Sequence, residues 1–474
     1  MFPFEYRRLK RTFRSSLFLS LAVGGISVGI LCGYWLFTRS QAGNPTQVST
    51  LPQDESIQVY FNHNQAVEFT EPYRHKTRRG DDLAAKLIGE IDAARSQIDV
   101  AVQELQLPNI AQALVTKAQA GVKVRVILES NYSHPLSGLT VTEIDSLSSR
   151  EREHYQEFQQ LVDIDRDGTL SQVEINQRDA LIILRNGGVE LIDDTADGSK
   201  GSGLMHHKLM VVDGRKTIVT SANWTMSDIY GDFSHPDSEG NQNNLVQIQS
   251  GELAQAFMTE FNLMWGDGTI GSPSSQFKAR KPARPPVEVS VGKTRIWVQF
   301  SPTSQQQAWE DSSNGSIGQL LGTSRKRVDL ALFVFSEPAL GNILQAQDLK
   351  GVKVRGLIDR QFAYRDYSSA LSLMGADRDD LCQVSQSNLR ALDTIGVPTL
   401  PRGDLLHHKF AVIDRQTVIT GSHNWSKAAN YRNDETLLVI QDNPTVAAHF
   451  DREFDRLYQH AVLGMPAKLQ RKGC

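Results

Sequence analysis

Residues 98–102, Ile-Asp-Val-Ala-Val, recur in slightly altered form at residues 328–332 as Val-Asp-Leu-Ala-Leu, 230 positions further along the chain. Both runs are apolar apart from one Asp and contain β-branched residues, which predicts buried strands. The sequence Gly-Val-Lys-Val-Arg occurs at 121–125 and again at 351–355, with the same spacing of 230. A segment with a helical pattern separates the two strands in each case. This strand–helix–strand order predicts an α/β arrangement with helices outside a sheet.

Two further landmarks extend the repeat along most of the chain. Gly-Val recurs at 188–189 and 396–397, and the sequences HHKLMVVD and HHKFAVID begin at residues 206 and 407. The first half holds 22 additional residues before its Gly-Val pair and seven more before its histidines. Four landmarks in the same order indicate a duplication. We therefore expect two homologous α/β halves, each a mixed β-sheet flanked by helices.

Each half carries the pattern His-x-Lys-x4-Asp followed by Ser-x-Asn-Trp. Positions i and i+2 of a strand face the same side, so the first histidine of each copy projects beside its lysine. The Asp-Gly pair at 213–214 predicts a hairpin turn that returns the serine and asparagine toward the histidine. The candidate site residues are His206, Lys208, Asp213, Ser221, Asn223, His407, Lys409, Asp414, Ser422 and Asn424.

This duplicated motif resembles the signature of the phospholipase D superfamily, over roughly residues 57–265 and 294–460. The resemblance implies one active site shared by two packed halves, in which lysines and amides hold a phosphodiester without a metal ion. It implies that His206 attacks phosphorus and becomes a phosphohistidine. It assigns to His407 the protonation of the leaving alcohol and the later activation of water.

The resemblance also implies that a carboxylate of one half orients the histidine of the other. Glu435 fits this role in the second half. The corresponding stretch of the first half, 241–243, carries Asn-Gln-Asn, which leaves His407 without an obvious acid; Glu239 is one alternative.

Other polar residues of the motif have structural interpretations. We expect His207 and His408 to face away from the site, because they occupy the alternate strand positions. Asp213 and Asp414 are expected to stabilise turns rather than to contact substrate. A zinc site built from the four histidines is disfavoured, since the paired lysines would repel the cation.

A twelve-residue stretch of the first half, residues 163–174, matches the EF-hand calcium loop, and Gly168 provides its turn. An entering helix over 150–161 and an exit helix over 174–184 are expected, which places an insertion at 150–184. The alternative is an acidic loop that binds no ion. The candidate Ca²⁺ ligands are Asp163, Asp165, Asp167, Thr169, Ser171 and Glu174.

The N-terminal region predicts a membrane anchor. Residues 17–37 are 21 apolar or small residues without a charge, enough for a helix of about 31 Å. The basic residues before it predict that the catalytic body lies on the non-cytoplasmic side. A cleaved signal peptide is the alternative. The predicted organisation is a basic segment and anchor at 1–39, a linker at 40–56, a first half at 57–270, a linker at 271–292 and a second half at 293–474.

Charge bears on the substrate. Six basic residues and one acidic residue precede residue 40, so the rest holds 44 basic and 53 acidic residues. Nucleic-acid-binding proteins usually show the opposite balance. We therefore favour a monomeric enzyme that hydrolyses glycerophospholipid head-group esters at a phospholipid membrane. A nuclease acting on DNA or RNA is the alternative, because residues 421–426 resemble the nuclease and cardiolipin-hydrolase branch; a cardiolipin-type synthase is a third possibility.

Overall fold

The repeated segments form two β-sheets in the computed structural model, which describes residues 48–199, 203–269, 272, 274–376 and 391–466. The strands of the first half are β1 (Ile57–Phe61), β2 (Glu68–Thr70), β3 (Thr77–Arg79), β4 (Gln97–Val102), β5 (Lys123–Leu128), β6 (Glu190–Asp193), β7 (Lys208–Val212), β8 (Lys216–Thr220) and β9 (Asn244–Gln249). Those of the second half are β10 (Val287–Val291), β11 (Thr294–Ser301), β12 (Arg327–Leu332), β13 (Lys353–Ile358), β14 (Ile395–Val397), β15 (Lys409–Ile413), β16 (Thr417–Gly421), β17 (Glu435–Gln441) and β18 (Val462–Leu463).

The two large sheets share one strand order. The first is β1-β9-β8-β7-β4-β5-β6, and the second is β11-β17-β16-β15-β12-β13-β14 with β10 and β18 added at its edges. In each sheet the two strands of the sequence repeat pair in parallel, and the motif strand pairs antiparallel to the first of them. The predicted pair of mixed α/β halves is confirmed. The small β2-β3 hairpin is separate.

Helices cover the sheets. They are α1 (Leu83–Ala93), α2 (Pro108–Gln119), α3 (Val141–Ser146), α4 (Ser149–Val162), α5 (Gln172–Arg178), α6 (Ala180–Asn186), α7 (Met226–Ile229), α8 (Gly251–Trp265), α9 (Ser313–Gly322), α10 (Pro338–Leu349), α11 (Arg360–Ala363), α12 (Ser369–Leu373), α13 (Lys427–Tyr431) and α14 (Pro444–Tyr458). Short 3₁₀ turns occupy Ser130–Tyr132, Leu136–Gly138, Lys278–Arg280 and Trp309–Asp311.

One apolar core is common to both halves. It contains side chains of α8 and α14 together with strands of both sheets. Phe61 of the first half meets Phe450 of the second edge to face at 5.1 Å, and Phe257 meets Phe300 in the same way at 5.1 Å. Such aromatic pairs stabilise beyond the area they bury. The halves are therefore joined through their interiors.

The segment between the halves differs from a free linker. Residues 277–284, called here the connecting strap, place Phe277, Lys278 and Lys281 in the interior. Lys281 Nζ lies 2.6 Å from Asp434 and also contacts Glu260, both of which are buried. The second sheet already begins within the predicted linker, at β10.

The inserted region has an entering helix, α4, as predicted, but its exit helix is interrupted. Helix α5 ends at Arg178, and Asp179 then caps α6 by accepting the N–H groups of Leu181 and Ile182. A single continuous exit helix over 174–184 is therefore wrong, because Asp179 starts a new one.

The predicted anchor at 17–37 lies outside the described residues. Within the described part of the chain, no helix combines the length and apolar character that a membrane crossing requires.

Candidate active site

The segment that leads into each motif histidine pairs with backbone of the opposite half. The His206 N–H donates to the Asp434 carbonyl (2.9 Å), and the Asp434 N–H donates to the Leu204 carbonyl (2.8 Å). The second half shows the corresponding contact, in which the Gln242 N–H donates to the Leu405 carbonyl at 2.8 Å. The position of each imidazole thus depends on both halves.

The two histidines have different side-chain partners. His206 Nδ1 lies 2.7 Å from Glu435 Oε2, and His407 Nδ1 lies 3.1 Å from Asn243 Oδ1. Both partners are fully buried, and each comes from the half opposite to its histidine. Because these oxygens accept hydrogen bonds, Nδ1 carries the hydrogen and Nε2 is left for substrate in both rings.

The Asn243 amide is fixed by its own hydrogen bonds. Its Nδ2 donates to the backbone carbonyls of Asp228 (3.0 Å) and Asn241 (3.2 Å), and its Oδ1 accepts from Ser221 Oγ (2.7 Å). A neutral oxygen balances an imidazolium charge less well than a carboxylate does. A buried carboxylate does lie nearby, since Asp228 Oδ1 is 3.5 Å from His407 Nδ1.

Both motif lysines are buried beside the histidines, with 0% of Lys208 and 1% of Lys409 exposed. Each Nζ donates to the carbonyl of the histidine two residues before it, at 3.0 and 2.6 Å respectively. Lys208 also donates to Gln103 Oε1 (3.1 Å), whereas Lys409 Nζ lies 5.1 Å from the centre of the Phe333 ring. Gln103 and Phe333 occupy equivalent positions of the repeat, so one side of the site is polar and the other aromatic.

The motif serines hold the partners of the histidines. Ser221 Oγ donates to Asn243 Oδ1 and Ser422 Oγ donates to Glu435 Oε2, both at 2.7 Å. Ser221 Oγ also accepts the backbone N–H of Asn244, and Ser422 Oγ accepts that of Thr436, each at 3.0 Å. The hydroxyls therefore fix the groups that orient the imidazoles.

Asn223 and Asn424 share a second feature of the site. Each has a side-chain oxygen that is buried without a hydrogen-bond partner. Buried polar atoms are normally paired. These two oxygens accept hydrogen bonds and would not themselves contact a phosphoryl oxygen, so the groups of these amides that can donate to a phosphate are their Nδ2 atoms.

The electrostatics of the site suit an anion. Burial, followed by the nearby ammonium groups, lowers the pKa of His206 and His407 well below the ordinary histidine value. Burial lowers the pKa of Lys208 to about 8, and burial followed by repulsion from Lys208 lowers that of Lys409. Burial raises the pKa of Glu435. A phosphate between the lysines would favour their charged forms again.

Asp213 and Asp414 lie outside this group, which corrects their inclusion among the candidate site residues. Each accepts three consecutive backbone N–H groups at the start of the neighbouring strand, β4 or β12. Each also has a positive φ, 53° and 51° respectively, within its hairpin turn. Their position agrees with the expectation that they stabilise turns.

Glu239 does not partner His407, so that alternative is wrong. Its carboxylate lies 3.9 Å from His63 Nδ1 and 3.6 Å from Lys76 Nζ. Asn243 is the side chain at the position that corresponds to Glu435. It directly precedes β9, as Glu435 begins β17.

His207 and His408 face away from the cleft as expected. His207 Nδ1 is 2.8 Å from Thr436 Oγ1, and His408 Nε2 is 3.0 Å from Glu453 Oε1. Both are fully buried and contact helices or strands behind the site.

Four side chains of the site were not predicted from the sequence: Gln103, Asp228, Asn243 and Phe333. Gln103 and Phe333 directly follow the repeated strands β4 and β12, which is a detectable signal. Asp228 stands where the second half has Ala429, and this difference between the repeats was also visible.

The carboxylates of the predicted calcium loop converge. One oxygen from each of Asp163, Asp165 and Glu174 lies within 4.8 Å of the others. Asp163 Oδ1 is buried without a hydrogen-bond partner, and Asp163 Oδ2 accepts the Gly168 N–H at 2.9 Å. Arg166 and Gly168 have positive φ, 60° and 83°. Hard oxygen donors in this arrangement fit Ca²⁺.

The remaining predicted ligands shape the loop. Asp167 Oδ1 accepts the Thr169 N–H at 2.7 Å. Ser171 caps helix α5 in a capping box with Glu174, and hydrogen bonds from Ser171 lower the pKa of Glu174 to about 2. The Glu174 carboxylate is therefore ionised at neutral pH.

Two half-sites that place two imidazoles and two ammonium groups in one cleft define a protein of the phosphodiesterase class. The family described as "Cardiolipin synthase, PLD-like domain" matches residues 87–265 and 317–458, more than half of the chain. The chain therefore belongs to the phospholipase D-like family of phosphodiesterases.

Individual relatives agree with this family. The mitochondrial cardiolipin hydrolase of Mus musculus is 31% identical over 151 residues, which cover 31% of this chain and 59% of that protein. The phospholipase D of Rickettsia typhi (strain ATCC VR-144 / Wilmington) is 27% identical over 146 residues, covering 31% of this chain and 63% of that protein. The chain thus spans between half and two thirds of the length of these two relatives.

A solved structure shows the same two-half fold. The phosphatidylserine synthase of Haemophilus influenzae Rd KW20 aligns with a TM-score of 0.52 at 13% identity, covering 92% of this chain and 95% of that chain. The likeness extends over both halves.

Proposed function

We propose that this protein is a membrane-anchored phospholipase D-type phosphodiesterase that hydrolyses the head-group ester of a glycerophospholipid. The observation that most supports it is the crossed pairing of the histidines, His206 with Glu435 and His407 with Asn243, beside two buried lysines. This arrangement gives two imidazoles with free Nε2 atoms and fixed positive charge for one phosphate.

In the first step, Nε2 of His206 attacks phosphorus, and the bond from phosphorus to the head-group oxygen breaks. Protonated His407 gives its Nε2 proton to that oxygen, so the head group leaves as a neutral alcohol. Glu435 balances the positive charge that develops on the His206 ring. The directly paired carboxylate supports His206 as the nucleophile and His407 as the acid.

In the second step, His407 accepts a proton from water, and the resulting hydroxide attacks phosphorus. The phosphorus–nitrogen bond breaks, and the His206 Nε2 regains its lone pair as phosphatidic acid is released. Lys208, Lys409 and the two motif asparagines are proposed to hold the phosphoryl oxygens throughout.

Three features support a lipid substrate. Curated relatives are named cardiolipin hydrolase and phospholipase D. The chain after residue 39 is acidic. Phe333 packs edge to face against both His407 and Phe362, at 4.8 Å in each case, which gives the second-half side of the site an apolar wall.

The decisive experiment compares substrates directly. Purified residues 45–474 would be assayed on phosphatidylcholine and cardiolipin vesicles, and on single- and double-stranded DNA and RNA. We expect phosphatidic acid or phosphatidylglycerol from the vesicles. The variant His206→Ala, purified in the same way, controls for contaminating enzymes. If nucleic acid is cleaved and the vesicles are not hydrolysed, the protein is a nuclease instead. The sequence of residues 421–426 favours that alternative.

We also propose that the loop at 163–174 binds one Ca²⁺. The converging carboxylates and the unpaired oxygen of Asp163 support this. Carboxylates of Asp163, Asp165, Asp167 and Glu174 would hold the ion, with the Thr169 carbonyl and a water on Ser171. The ion would supply structural cross-linking of the loop, while the phosphate charge is met by the lysines of the site.

A further inference from the structure

The two halves differ in where they keep their carboxylate. The second half has Glu435 at the histidine-partner position and Ala429 on helix α13, whereas the first half has Asn243 and Asp228 at the equivalent places. Each half therefore holds one acid near the opposite histidine, but on different elements. The amide of Asn243 orients the His407 ring and leaves its charge unbalanced.

The Asp228 carboxylate is built into the site. It is 3% exposed. Its Oδ2 accepts the backbone N–H of Asn223 and its Oδ1 accepts from Asn241 Nδ2, both at 2.6 Å. The same Oδ1 lies 3.5 Å from His407 Nδ1. These bonds fix the carboxylate on the Nδ1 side of the ring, opposite to the atom that meets substrate.

We propose that Asp228 is the charge partner of His407. It is a positioning residue that does for His407 what Glu435 does for His206. It stabilises the imidazolium from which His407 gives its proton to the leaving group. The inference rests on the proposed function and identifies the group that its acid step depends on.

The charges around His407 explain why a partner is required. Burial and the two lysines, together with the neighbouring histidines, all disfavour the imidazolium. A bound phosphate would offset the positive charge of the two lysines. Asp228 would then be the carboxylate that faces His407 Nδ1 and stabilises its charge. Burial raises the pKa of Asp228, while its two amide hydrogen bonds and the lysines counteract that rise. The groups that face the ring are Lys409, Lys208, His206, His408, Asn243, Asp228 and Phe333.

The leaving group provides the sharpest test. An alkyl alcohol must be protonated as it departs, whereas p-nitrophenolate leaves without an acid. Asp228→Asn is expected to slow release of choline from dihexanoylphosphatidylcholine by about tenfold or more, and first p-nitrophenol release from bis(p-nitrophenyl) phosphate by less than about threefold. Removing the negative charge lowers the pKa of His407, so the basic limb of kcat/KM for the alkyl ester moves to lower pH by about one unit.

A second variant copies the arrangement of the other half. Asp228→Ala combined with Asn243→Glu reproduces the Ala429 and Glu435 pattern and should restore most of the lost alkyl-ester turnover. The matched control is Asp99→Asn, which removes another buried carboxylate that is paired with Arg125. That control should lower stability and leave the pH limb in place.

Some outcomes would overturn the proposal. Equal losses on both esters without recovery in the double variant would assign Asp228 a structural role only. If the Asp228 variants do not fold, Asn241→Ala decides, because it removes the amide that holds Asp228 Oδ1. A larger loss for the alkyl ester than for the p-nitrophenyl ester is expected, and equal losses would contradict the proposal.

Failure of the proposed function would give a different pattern. Wild-type enzyme would then release no choline from dihexanoylphosphatidylcholine, and a thymidine dinucleotide would serve as the alkyl substrate if nucleic acid is cleaved. The pairing itself can be measured without turnover, by ¹⁵N-histidine NMR in the presence of inorganic phosphate. Asp228→Asn should lower the pKa of His407 by about one unit, and an unchanged pKa would contradict the inference.

Discussion

Each histidine of the site is oriented by a side chain of the opposite half, so neither half is complete alone. We predict that His206→Ala and His407→Ala each reduce kcat at least about 10³-fold, and that the double variant is no slower, because groups that act as a unit are not additive. Steady-state assays on a soluble phosphodiester test this. His235→Ala is a suitable control, since His235 lies in a loop and contacts the side chains of Asp232 and Ser234. Substantial activity in either single variant would contradict a shared site.

The assignment of the nucleophile can be tested separately. With bis(p-nitrophenyl) phosphate, His407→Asn should still allow attack by His206 and should prevent hydrolysis, so the phosphohistidine accumulates. Mass spectrometry of enzyme denatured at alkaline pH, where the nitrogen–phosphorus bond survives, is expected to locate the modification on His206. In wild-type enzyme treated in the same way, a label found only on His407 would reverse the roles and leave the shared site standing.

Residue-level prediction from the sequence succeeded where a motif repeats and failed where the repeats diverge. His206, Lys208 and their second-half counterparts follow from the repeated His-x-Lys motif. Asn243 was not predicted as a partner of His407. An acid was expected at that position, so the amide suggested that His407 had no partner there. The path of the backbone, which the alignment of the halves does not give, decides that the amide itself contacts His407.

At the scale of elements, the calcium loop should act on stability. Calcium that binds only the folded state raises the free energy of unfolding, by about 2.7 kcal/mol at a hundredfold excess over Kd. We predict that Tm rises with free Ca²⁺, and that Asp163→Ala with Glu174→Gln abolishes the rise while turnover of a soluble phosphodiester stays nearly unchanged. Glutamine can still serve the capping box.

The matched control for this experiment is Asp145→Ala with Glu153→Ala. It removes two exposed carboxylates from the helices before the loop and should preserve the calcium-dependent rise. Calorimetry with and without a calcium chelator measures the Tm of both double variants. Loss of soluble-substrate turnover on chelation, in enzyme that remains folded, would make calcium part of the reaction and contradict this prediction.

The connecting strap is a second element with a measurable role. Lys281 is fully paired with Glu260 and Asp434 in the interior, and the Asp434 carbonyl accepts the His206 N–H. Lys281→Met would leave two buried carboxylates without this partner, which costs about 3–5 kcal/mol. Urea denaturation should show this loss, and Lys293→Met, at an exposed turn, should show little change. A similar small effect for both variants would mean that the strap does not hold the halves.

Elements were predicted well where local sequence decides them. The parallel pairs β4–β5 and β12–β13 follow from repeated apolar runs, and the hairpin after Asp213 follows from its turn chemistry. The strap was predicted as a linker because its prolines and basic residues resemble a solvated segment. Its burial depends on the acids Glu260 and Asp434, which are distant in sequence and become neighbours only in the fold.

At the scale of the whole molecule, the shared core predicts that residues 51–466 unfold as one unit. Side chains of α8, α14 and both sheets form one apolar cluster, and the strap and crossed histidine contacts add polar links across it. Phe450 packs against Phe61 and Phe410 within that cluster. Phe450→Ala should therefore cost about 3–5 kcal/mol and lower the stability of both halves together.

Calorimetry of residues 45–474 distinguishes unfolding as one unit from independent unfolding of the two halves. One unit gives a single transition whose calorimetric and van't Hoff enthalpies agree, and Phe450→Ala shifts that whole transition to lower temperature. Leu349→Ala is the control, because Leu349 is 66% exposed on α10 and its truncation removes little buried area. Hydrogen exchange should report the same loss of protection in β7 and β15, one strand from each half, because both lose stability when the common core is weakened. Two separate transitions, with only the second-half one displaced by Phe450→Ala, would show instead that the halves fold independently and meet only at the site.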